Sequence, residues 1–285
     1  MKKLTSLEMV TRLPPLPDRP EDGHKGTFGR VLVLGGSAGM IGAPGFAGLA
    51  ALRMGCGLAY VAAQRAVLGT ILSAAPELVG IALGPMAALR AGLMRADAVI
   101  VGPGLGQLAF AAGTVSVSVE CACPLVVDAD ALNLIAARKV TLDRPAGTAV
   151  LTPHPGEMER LGKLFGQAGV PDDEDGRIAI AVLAAKYFNQ VIVLKGHRSV
   201  ITDGLRTAIN QTGDSSLAKA GSGDVLSGMI GTLLAQRMNA FDAAQLGVYL
   251  HGLAGEIAGK GMGRRSVLAR DLIAAIPAAI GRIST

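Results

Sequence analysis

The chain has 285 residues, of which 39 are glycine, 50% are hydrophobic and 17% are charged. A disordered chain is excluded, because disorder requires low hydrophobicity and high charge. The net charge of +5 arises from 27 basic and 22 acidic residues that are scattered along the chain, with few aromatic side chains to stack on bases. We therefore expect no nucleic-acid partner, and a modest positive field equally suits a small phosphorylated ligand.

Two uncharged stretches, 31–52 and 98–119, are long enough to cross a bilayer. Both contain several glycines and a proline, so each fits a strand, a glycine loop and a helix better than a membrane span. Near the N-terminus, Glu8 interrupts the apolar residues that a signal peptide would need. We expect a cytoplasmic protein with no membrane partner.

The three cysteines, Cys56, Cys121 and Cys123, are odd in number. Cys121 and Cys123 are separated by one residue, whereas zinc and redox pairs usually have two residues between them. The cysteine pattern therefore favours inert thiols in a reducing compartment.

The first 30 residues are polar and rich in proline, which is typical of an arm outside the core. We predict an N-terminal arm over 1–23 and one catalytic domain over 24–285, because no linker or repeat divides the rest of the chain.

From residue 30 onwards, short apolar runs alternate with longer segments. The runs are continuously apolar, which is typical of strands buried on both faces of a parallel sheet. Strands are predicted at 30–34, 57–63, 96–101, 124–127, 149–152 and 191–194. A hairpin is predicted at 199–202 and 206–209 around Asp203-Gly204, and helices at 44–52, 224–237 and 241–258. This pattern indicates a three-layer α/β/α sandwich with a mostly parallel central sheet, whose ligands bind at the carboxyl ends of the strands.

The most informative segment is Gly221-Ser-Gly-Asp224, at the predicted start of a helix. Unpaired amides at a helix start form a site for a phosphate or a developing anion. Asp224 at that site could take a proton from an attacking hydroxyl or help to hold a metal. The alternative is that Asp224 is only the N-cap of the helix.

Five other loops follow predicted strands and carry glycine or ionisable groups. The glycine loops at 35–44 and 102–106 could let a ligand approach bare backbone. The alternative is that they serve only as tight turns. His154 lies between two prolines, which stiffen its backbone and hold its ring in place. The alternative is that His154 is only an exposed loop residue. Asp128 and Asp130 could bind Mg²⁺ through water or cap a helix. The segment 195–199 suits a nucleotide phosphate or ribose, or is a solvated turn. The convergence of six such loops indicates a phosphate-handling α/β enzyme.

Taken in order, the motifs resemble one family. His-Lys-Gly-Thr-Phe-Gly-Arg at 24–30 is followed by Val-Gly-Pro-Gly-Leu-Gly at 101–106, Val-Val-Asp-Ala-Asp-Ala-Leu-Asn at 126–133, Leu-Thr-Pro-His-Pro-Gly-Glu at 151–157 and Ala-Gly-Ser-Gly-Asp-Val-Leu-Ser-Gly at 220–228. The series is similar to the ADP/ATP-dependent NAD(P)H-hydrate dehydratases of the ribokinase-like fold, over about residues 24–275.

The resemblance implies repair of hydrated NADH or NADPH. ADP or ATP phosphorylates the ring hydroxyl of the S epimer, and loss of phosphate then restores the double bond and leaves AMP or ADP. Asp224 is the implied base, with the backbone of Gly221, Ser222 and Gly223 around the transferring phosphoryl group.

The resemblance also implies the binding residues. The hydrated dinucleotide is expected at Ala43, Gly104, Gly106, Asn133, His154 and Asp224. The adenine nucleotide is expected at Lys195, Gly196, His197, Arg198, Ser199 and Gly223. Mg²⁺ is expected with unassigned ligands, and a homo-oligomer, a tetramer in relatives, is expected for the assembly.

Other functions stay open at this point. A small-molecule kinase of the thiazole or hydroxymethylpyrimidine type would use Asp224 in the same way but stop at the phosphorylated product. A nucleotide-binding sensor would bind without turnover. The segment 210–219 departs from the family pattern, which leaves the choice between ADP and ATP open. With only a short arm before residue 24, the chain is expected to depend on a separate epimerase or on spontaneous epimerisation.

Overall fold

This computed structural model describes residues 7–84 and 86–283, and the described residues form ten strands and ten α-helices. The strands are β1 Glu8–Met9, β2 Arg30–Leu34, β3 Leu58–Gln64, β4 Val79–Leu83, β5 Ala98–Val101, β6 Leu125–Val127, β7 Ala149–Leu151, β8 Val191–Leu194, β9 Val200–Thr202 and β10 Arg206–Ile209. The helices are α1 Gly42–Arg53, α2 Arg65–Ala74, α3 Met86–Arg95, α4 Ala109–Val119, α5 Asp130–Ala136, α6 Pro155–Gly162, α7 Glu174–Phe188, α8 Ser222–Ala235, α9 Ala240–Met262 and α10 Ala269–Gly281.

The strands form one sheet in the order β1-β10-β9-β8-β7-β6-β5-β2-β3-β4. Each pairing is parallel except those of β9, which runs antiparallel to both β8 and β10. The carboxyl ends of β2, β5, β6, β7 and β8 therefore lie along one edge of the sheet. This edge is where a doubly wound fold places its ligands.

The central strands are buried on both faces. In β2, Val31 and Val33 point into one hydrophobic cluster, whereas Leu32 and Leu34 point into the other. Helices α1, α2, α8, α9 and α10 cover the first face, and α3 to α7 cover the second. The predicted three-layer α/β/α sandwich is therefore confirmed, because continuously apolar strands need helices on both sides.

Most predicted elements lie within two residues of the observed ones, and 30–34, 191–194 and 206–209 coincide with β2, β8 and β10. Helix α8 begins two residues before the predicted start, because Gly221 adopts a left-handed conformation with φ of 90° and precedes the first helical turn. No bounds were predicted for β1 or for α2 to α7, and β4 and α10 were missed as well. Glycine interrupts the apolar run of β4, and Pro277 lies inside α10, so both patterns were obscured.

Part of the predicted arm belongs to the sheet. Glu8–Met9 pairs in parallel with β10, with the Glu8 amide donating to the Leu205 carbonyl at 3.0 Å and the Val10 amide donating to the Thr207 carbonyl at 2.7 Å. A strand of two residues carries no periodicity, so only its tertiary partner defines it. The first six residues of the predicted arm lie outside the described part of the chain.

The two long uncharged stretches fold as predicted. Residues 31–52 contain most of β2, a glycine loop and most of α1, and residues 98–119 contain β5, a glycine loop and α4. Within residues 7–84 and 86–283, no helix has the length and apolar character needed to cross a membrane.

Candidate active site

The loops after the central strands meet at the carboxyl edge of the sheet. The Gly36 amide donates to the Pro103 carbonyl at 3.0 Å, which joins the loops after β2 and β5. The Gly106 amide donates to Asp130 Oδ2 at 2.8 Å, which joins the loops after β5 and β6. The Lys195 amide donates to the Pro153 carbonyl at 2.8 Å, which joins the loops after β7 and β8. These hydrogen bonds join the loops after β2, β5 and β6 to one another and the loops after β7 and β8 to each other.

The sixth segment, Gly221–Asp224, faces this edge as the start of α8. Gly221 precedes the helix and Asp224 is its third residue, so the N-cap alternative for Asp224 is wrong. Among the described residues, the Gly223 and Asp224 amides have no backbone or side-chain acceptor. These two N–H groups are available to an anion, and the positive end of the helix dipole supports that use.

A buried lysine connects the loops to α8. Lys195 Nζ lies 2.9 Å from Asp128 Oδ1 and 3.7 Å from Glu157 Oε2. Ser227, one turn after Gly223 on α8, donates its hydroxyl to Asp128 Oδ2 at 2.7 Å. A Cβ atom on Gly223 would lie 3.4 Å from Lys195 Nζ, so the ammonium group lies directly beside the start of the helix.

The charges of this cluster shift the pKa values of its members. Burial raises the pKa of Asp224 to about 7, and the Asp128 carboxylate adds to that rise while Lys195 opposes it. Burial also raises the pKa of Glu157. Burial alone would lower the pKa of Lys195, but the Asp128 and Glu157 carboxylates outweigh it and leave that pKa raised. At neutral pH, Lys195 is therefore charged, while Asp224 exchanges a proton readily.

His154 is the N-cap of α6 and not merely an exposed loop residue. Its Nδ1 accepts from the Gly156 amide at 3.0 Å and from the Glu157 amide at 3.3 Å. Glu157 returns the interaction by accepting the His154 amide on Oε2 at 2.8 Å. The ring is nevertheless half exposed, with its Nε2 3.4 Å from Glu157 Oε1, so part of the ring surface can contact a ligand.

The glycine loop after β5 lies against the start of α1. Gly104 has a φ of 62°, and a Cβ atom there would lie 2.6 Å from the Met40 carbonyl oxygen and 3.2 Å from the Ala43 Cβ. Neither the conformation nor the space admits a side chain at Gly104. Ala43 is therefore the side chain that lies next to the bare backbone of this loop.

Asn133 lies on the same side of the sheet as His154. On α5, its Oδ1 accepts from Arg160 Nε at 2.8 Å, which ties α5 to α6. Arg160 was not singled out in the sequence, because only the packing of two helices brings it to Asn133.

The structure divides the segment 195–199. Lys195 points into the acidic cluster, whereas His197 and Arg198 are exposed and Arg198 pairs with Glu174 at 2.6 Å. Gly196 is held between Ser199, whose hydroxyl donates to its carbonyl at 3.0 Å, and the guanidinium of Arg177. The five residues therefore do not form one surface.

No group of three or more acidic, histidine or cysteine side chains capable of holding a metal occurs in the described part of the chain. Asp128 is engaged by Lys195 and Ser227, and Asp130 accepts the Gly106 amide. These oxygens have the right chemistry for Mg²⁺, but they do not form a dedicated cage. The arrangement fits an ion that is held mainly by nucleotide phosphates and water, which is the usual mode for Mg²⁺.

The sequence reasoning missed three members of the site. The sequence suggests no separate role for Glu157 at the end of the 151–157 motif, for Ser227 or for His251 inside α9. His251 is buried, and its Nε2 lies 2.9 Å from the Ser222 carbonyl oxygen and 3.2 Å from the Ser222 hydroxyl. Burial lowers the pKa of His251 to about 4, so the neutral ring supports the start of α8. The four-residue spacing of Gly223 and Ser227 on one helix face was the only available signal.

A family model described as NAD(P)H-hydrate dehydratase matches residues 31–278. The chain belongs to this family.

Individual NAD(P)H-hydrate dehydratase relatives agree with the family match. A bifunctional NAD(P)H-hydrate repair enzyme of Moorella thermoacetica is 41% identical over 275 residues, which are 92% of this chain and 51% of that protein. The ADP-dependent (S)-NAD(P)H-hydrate dehydratase of Neisseria meningitidis is 38% identical over 84% of this chain and 80% of its own. The chain thus spans about half the length of the bifunctional relative.

A solved structure agrees with the fold. The ADP/ATP-dependent NAD(P)H-hydrate dehydratase of Bacillus subtilis, co-crystallised with ATP and Mg²⁺, has a TM-score of 0.81 and 32% identity over 94% of each chain. The ribokinase-like fold expected from the sequence is therefore confirmed. The roles expected for individual residues stay predictions.

Proposed function

We propose that this chain dehydrates the S epimer of hydrated NADH or NADPH at the expense of ADP or ATP. The products are NADH or NADPH, phosphate, and AMP or ADP. Membership of the NAD(P)H-hydrate dehydratase family supports this proposal. The observation that carries it is the position of Asp224, beside two free amides at the start of α8 and with a pKa raised to about 7 by burial.

In this proposal, Asp224 accepts the proton of the ring hydroxyl as that oxygen attacks the terminal phosphorus of the nucleotide. A carboxylate with a pKa near the working pH suits a general base, because it both accepts and returns a proton readily. Hydroxide is a poor leaving group and phosphate is a good one. The lone pair of the ring nitrogen then expels the phosphate, so the second step needs no strong acid.

The transferring phosphoryl group is assigned to the backbone of Gly221, Ser222 and Gly223. The free amides at Gly223 and Asp224 would donate to its oxygens, and removing one comparable donor costs about 10²–10³ in rate in other enzymes. Lys195 would add a positive charge close to the same oxygens, since it lies beside the Gly223 backbone.

The hydrated dinucleotide is assigned to the carboxyl edge of the sheet. Gly104 and Gly106 offer bare backbone, with Ala43 beside them, and His154 offers its exposed ring edge. Asn133 would hold a polar part of the dinucleotide from α5. These loops lie next to the start of α8, which brings a ring hydroxyl within reach of Asp224.

The adenine nucleotide is assigned to Gly223 and to the loop after β8. Gly196, His197 and Arg198 would contact its ribose and phosphates from the exposed side. The buried Ser199 would hold this loop through its hydrogen bond to Gly196, while Lys195 reaches inwards. Mg²⁺ would neutralise charge on the nucleotide phosphates, with Asp128 and Asp130 as the nearest carboxylates that the protein could offer through water.

The deciding experiment supplies purified hydrated NADH with ADP or ATP and Mg²⁺. Recovery of the reduced-nicotinamide absorbance, with one phosphate released per NADH formed, is the expected result for the S epimer and not for the R epimer. A stable phosphorylated product would instead indicate a small-molecule kinase. Nucleotide binding without turnover would indicate a sensor. Either result would overturn the proposed dehydration.

We also propose that the protein acts in the cytoplasm as a homo-oligomer, with four copies expected from its family, and without a nucleic-acid or membrane partner. Sedimentation velocity over a range of protein concentrations tests the assembly. A single monomeric species at every concentration would refute it.

A further inference from the structure

Two thiols approach each other at the edge of the sheet opposite the candidate active site. Cys121 and Cys123 lie in the turn between α4 and β6, and their Sγ atoms are 3.2 Å apart. Both side chains are half-buried, and Ala122 between them is exposed. The turn therefore holds the pair together and leaves it accessible to small molecules.

A buried arginine organises this turn. Arg144 Nη1 donates to the carbonyl oxygens of Val119 and Cys121, each at 2.8 Å, and Nη2 donates to the Cys123 carbonyl at 2.6 Å. Arg144 Nη1 also lies 3.7 Å from Cys121 Sγ. The guanidinium thus fixes the backbone on both sides of Ala122 and places positive charge next to one of the two thiols.

The charge of Arg144 has no carboxylate partner among the residues of 7–84 and 86–283. The nearest acidic residue in sequence, Glu120, pairs with Arg90 at 3.2 Å. Arg144 is only 9% exposed, and a buried cation without an anion is costly. A thiolate at Cys121 would supply the missing negative charge.

The two thiols consequently differ in acidity. The hydrogen bond from Cys123 lowers the pKa of Cys121 to about 6, with help from Arg144 and against the effect of burial. The same contact raises the pKa of Cys123. At neutral pH the pair therefore consists of one thiolate and one thiol, which is the arrangement needed for thiol–disulfide exchange.

We propose that Cys121 and Cys123 form a reversible dithiol–disulfide site that reacts with low-molecular-weight disulfides. The Cys121 thiolate attacks one sulfur of the small disulfide, forms a mixed disulfide and releases the first small thiolate. Cys123 loses its proton and attacks Cys121 Sγ, which releases the second. Two electrons pass from the protein sulfurs to the small disulfide, which leaves as two thiolates. These become thiols by taking up the proton lost from Cys123 and one proton from solvent.

Cys56 provides an internal control for this site. It is buried with 6% of its surface exposed, and burial raises its pKa to about 12. Neither accessibility nor ionisation favours its reaction. Oxidation of all three cysteines would therefore indicate an unspecific reaction, whereas oxidation of Cys121 and Cys123 alone would indicate a reaction at the pair.

The test incubates the full chain with increasing ratios of oxidised to reduced glutathione, then denatures it in acid, alkylates the free thiols and maps them by peptide mass. We expect Cys121 and Cys123 to lose their label together and regain it with dithiothreitol, while Cys56 stays labelled. Full labelling of Cys121 and Cys123 in excess oxidised glutathione would overturn the proposal.

The variant Cys123→Ser separates the two steps, because its hydroxyl can still hydrogen-bond to Cys121 but cannot expel glutathione. We expect a stable single glutathione adduct on Cys121 in Cys123→Ser at neutral pH. In the variant Cys121→Ser, we expect no glutathione adduct at neutral pH. Absence of the adduct in Cys123→Ser would refute Cys121 as the attacking thiolate.

The pH dependence of alkylation in the unmodified protein tests the same assignment without any substitution. Alkylation of Cys121 by iodoacetamide should reach half its maximal rate near pH 6. A midpoint at the ordinary cysteine value of about 8.5 would contradict the thiolate.

Discussion

At the residue scale, the candidate site depends on an excess of carboxylates around one ammonium group. Asp128 takes the close ion pair with Lys195 at 2.9 Å, and Glu157 takes the longer one at 3.7 Å. Asp224 makes neither contact, so burial and the neighbouring carboxylates raise its pKa. One lysine thus satisfies the acidic groups that fix the site and leaves Asp224 able to exchange a proton.

The variant Asp224→Asn should retain nucleotide binding and lose about 10²–10⁴ of its turnover, because the amide cannot accept the hydroxyl proton. Calorimetric nucleotide titration and the absorbance assay measure the two effects. Asp175→Asn, at the second position of α7 and exposed, is the matched control and should behave like the parent protein. A near-normal rate in Asp224→Asn would refute its role as the base.

The pH profile should report the same carboxylate. In the proposed mechanism the ionised form of Asp224 is the active one, so kcat/KM should rise as the pH increases through about 7 and level off above it. One pH unit below the midpoint, the rate should be about tenfold below the plateau. A rate that is constant between pH 5 and pH 8 would contradict a base with this raised pKa.

His154 is the N-cap of α6 and the proposed contact to the hydrated dinucleotide, and substitution can separate the two. His154→Ala should raise the KM for hydrated dinucleotide and also cost about 1 kcal/mol of stability through the lost cap. His154→Asn keeps an N-cap acceptor without the imidazole ring, so it should restore the stability and not the KM. Steady-state kinetics and urea unfolding measure the two effects, and an unchanged KM in both variants would exclude the ring contact.

At the element scale, the position of the α8 start depends on how closely α8 packs on α1. A Cβ atom on Gly228 would lie 2.1 Å from the Ala47 carbonyl oxygen and 2.9 Å from the Ala50 Cβ. The two helix backbones are therefore in direct contact, and α8 cannot move away without opening the core. This contact fixes the distance between the Gly221–Asp224 turn and the start of α1, where Ala43 lies.

Gly228→Ala should destabilise the protein by about 1–3 kcal/mol through overpacking, and it should also slow turnover by displacing the start of α8. Gly69→Ala is the matched control, since Gly69 lies inside α2 with open space around its Cβ position. That variant should gain about 0.5–1 kcal/mol, the cost of glycine in a helix. Urea unfolding measures both, and equal effects would argue against the close approach of α1 and α8.

At the scale of the whole molecule, the site and the stability of the protein are coupled through Asp224. Its pKa rises from 3.8 to about 7 on folding, so the folded state penalises its ionised form. The penalty is absent below the unfolded pKa and complete above the folded one. The parent protein should therefore lose stability as the pH rises from about 4 to about 7.

Asp224→Asn removes this titration, so its stability relative to the parent should increase between pH 4 and pH 8 by more than about 1 kcal/mol. Urea unfolding at both pH values measures the difference, and Asp175→Asn should show none. An equal difference at the two pH values would mean that the Asp224 pKa is not raised. If Asp224→Asn has both slower turnover and a higher free energy of unfolding, the buried carboxylate lowers the stability of the folded protein.

The sequence by itself determined the layers and the edge at which the site lies. Continuous apolar runs such as Val31–Leu34 must be covered on both faces. Most of these runs are followed within two residues by glycine, proline or aspartate, so the polar loops are placed at the carboxyl ends of parallel strands. It also determined that Gly221–Asp224 begins a helix. These features are local, because each depends on a few neighbouring residues.

Only the tertiary structure decided which polar groups meet. Lys195 and Asp128 are 67 residues apart in sequence, and Ser227 and Asp128 are 99 apart. The strand order brings them together, and no local pattern encodes that contact. The raised pKa of Asp224, the cap formed by His154 and the thiol pair beside Arg144 have the same origin. Burial and electrostatic neighbours act through space, so they exist only once the chain has folded.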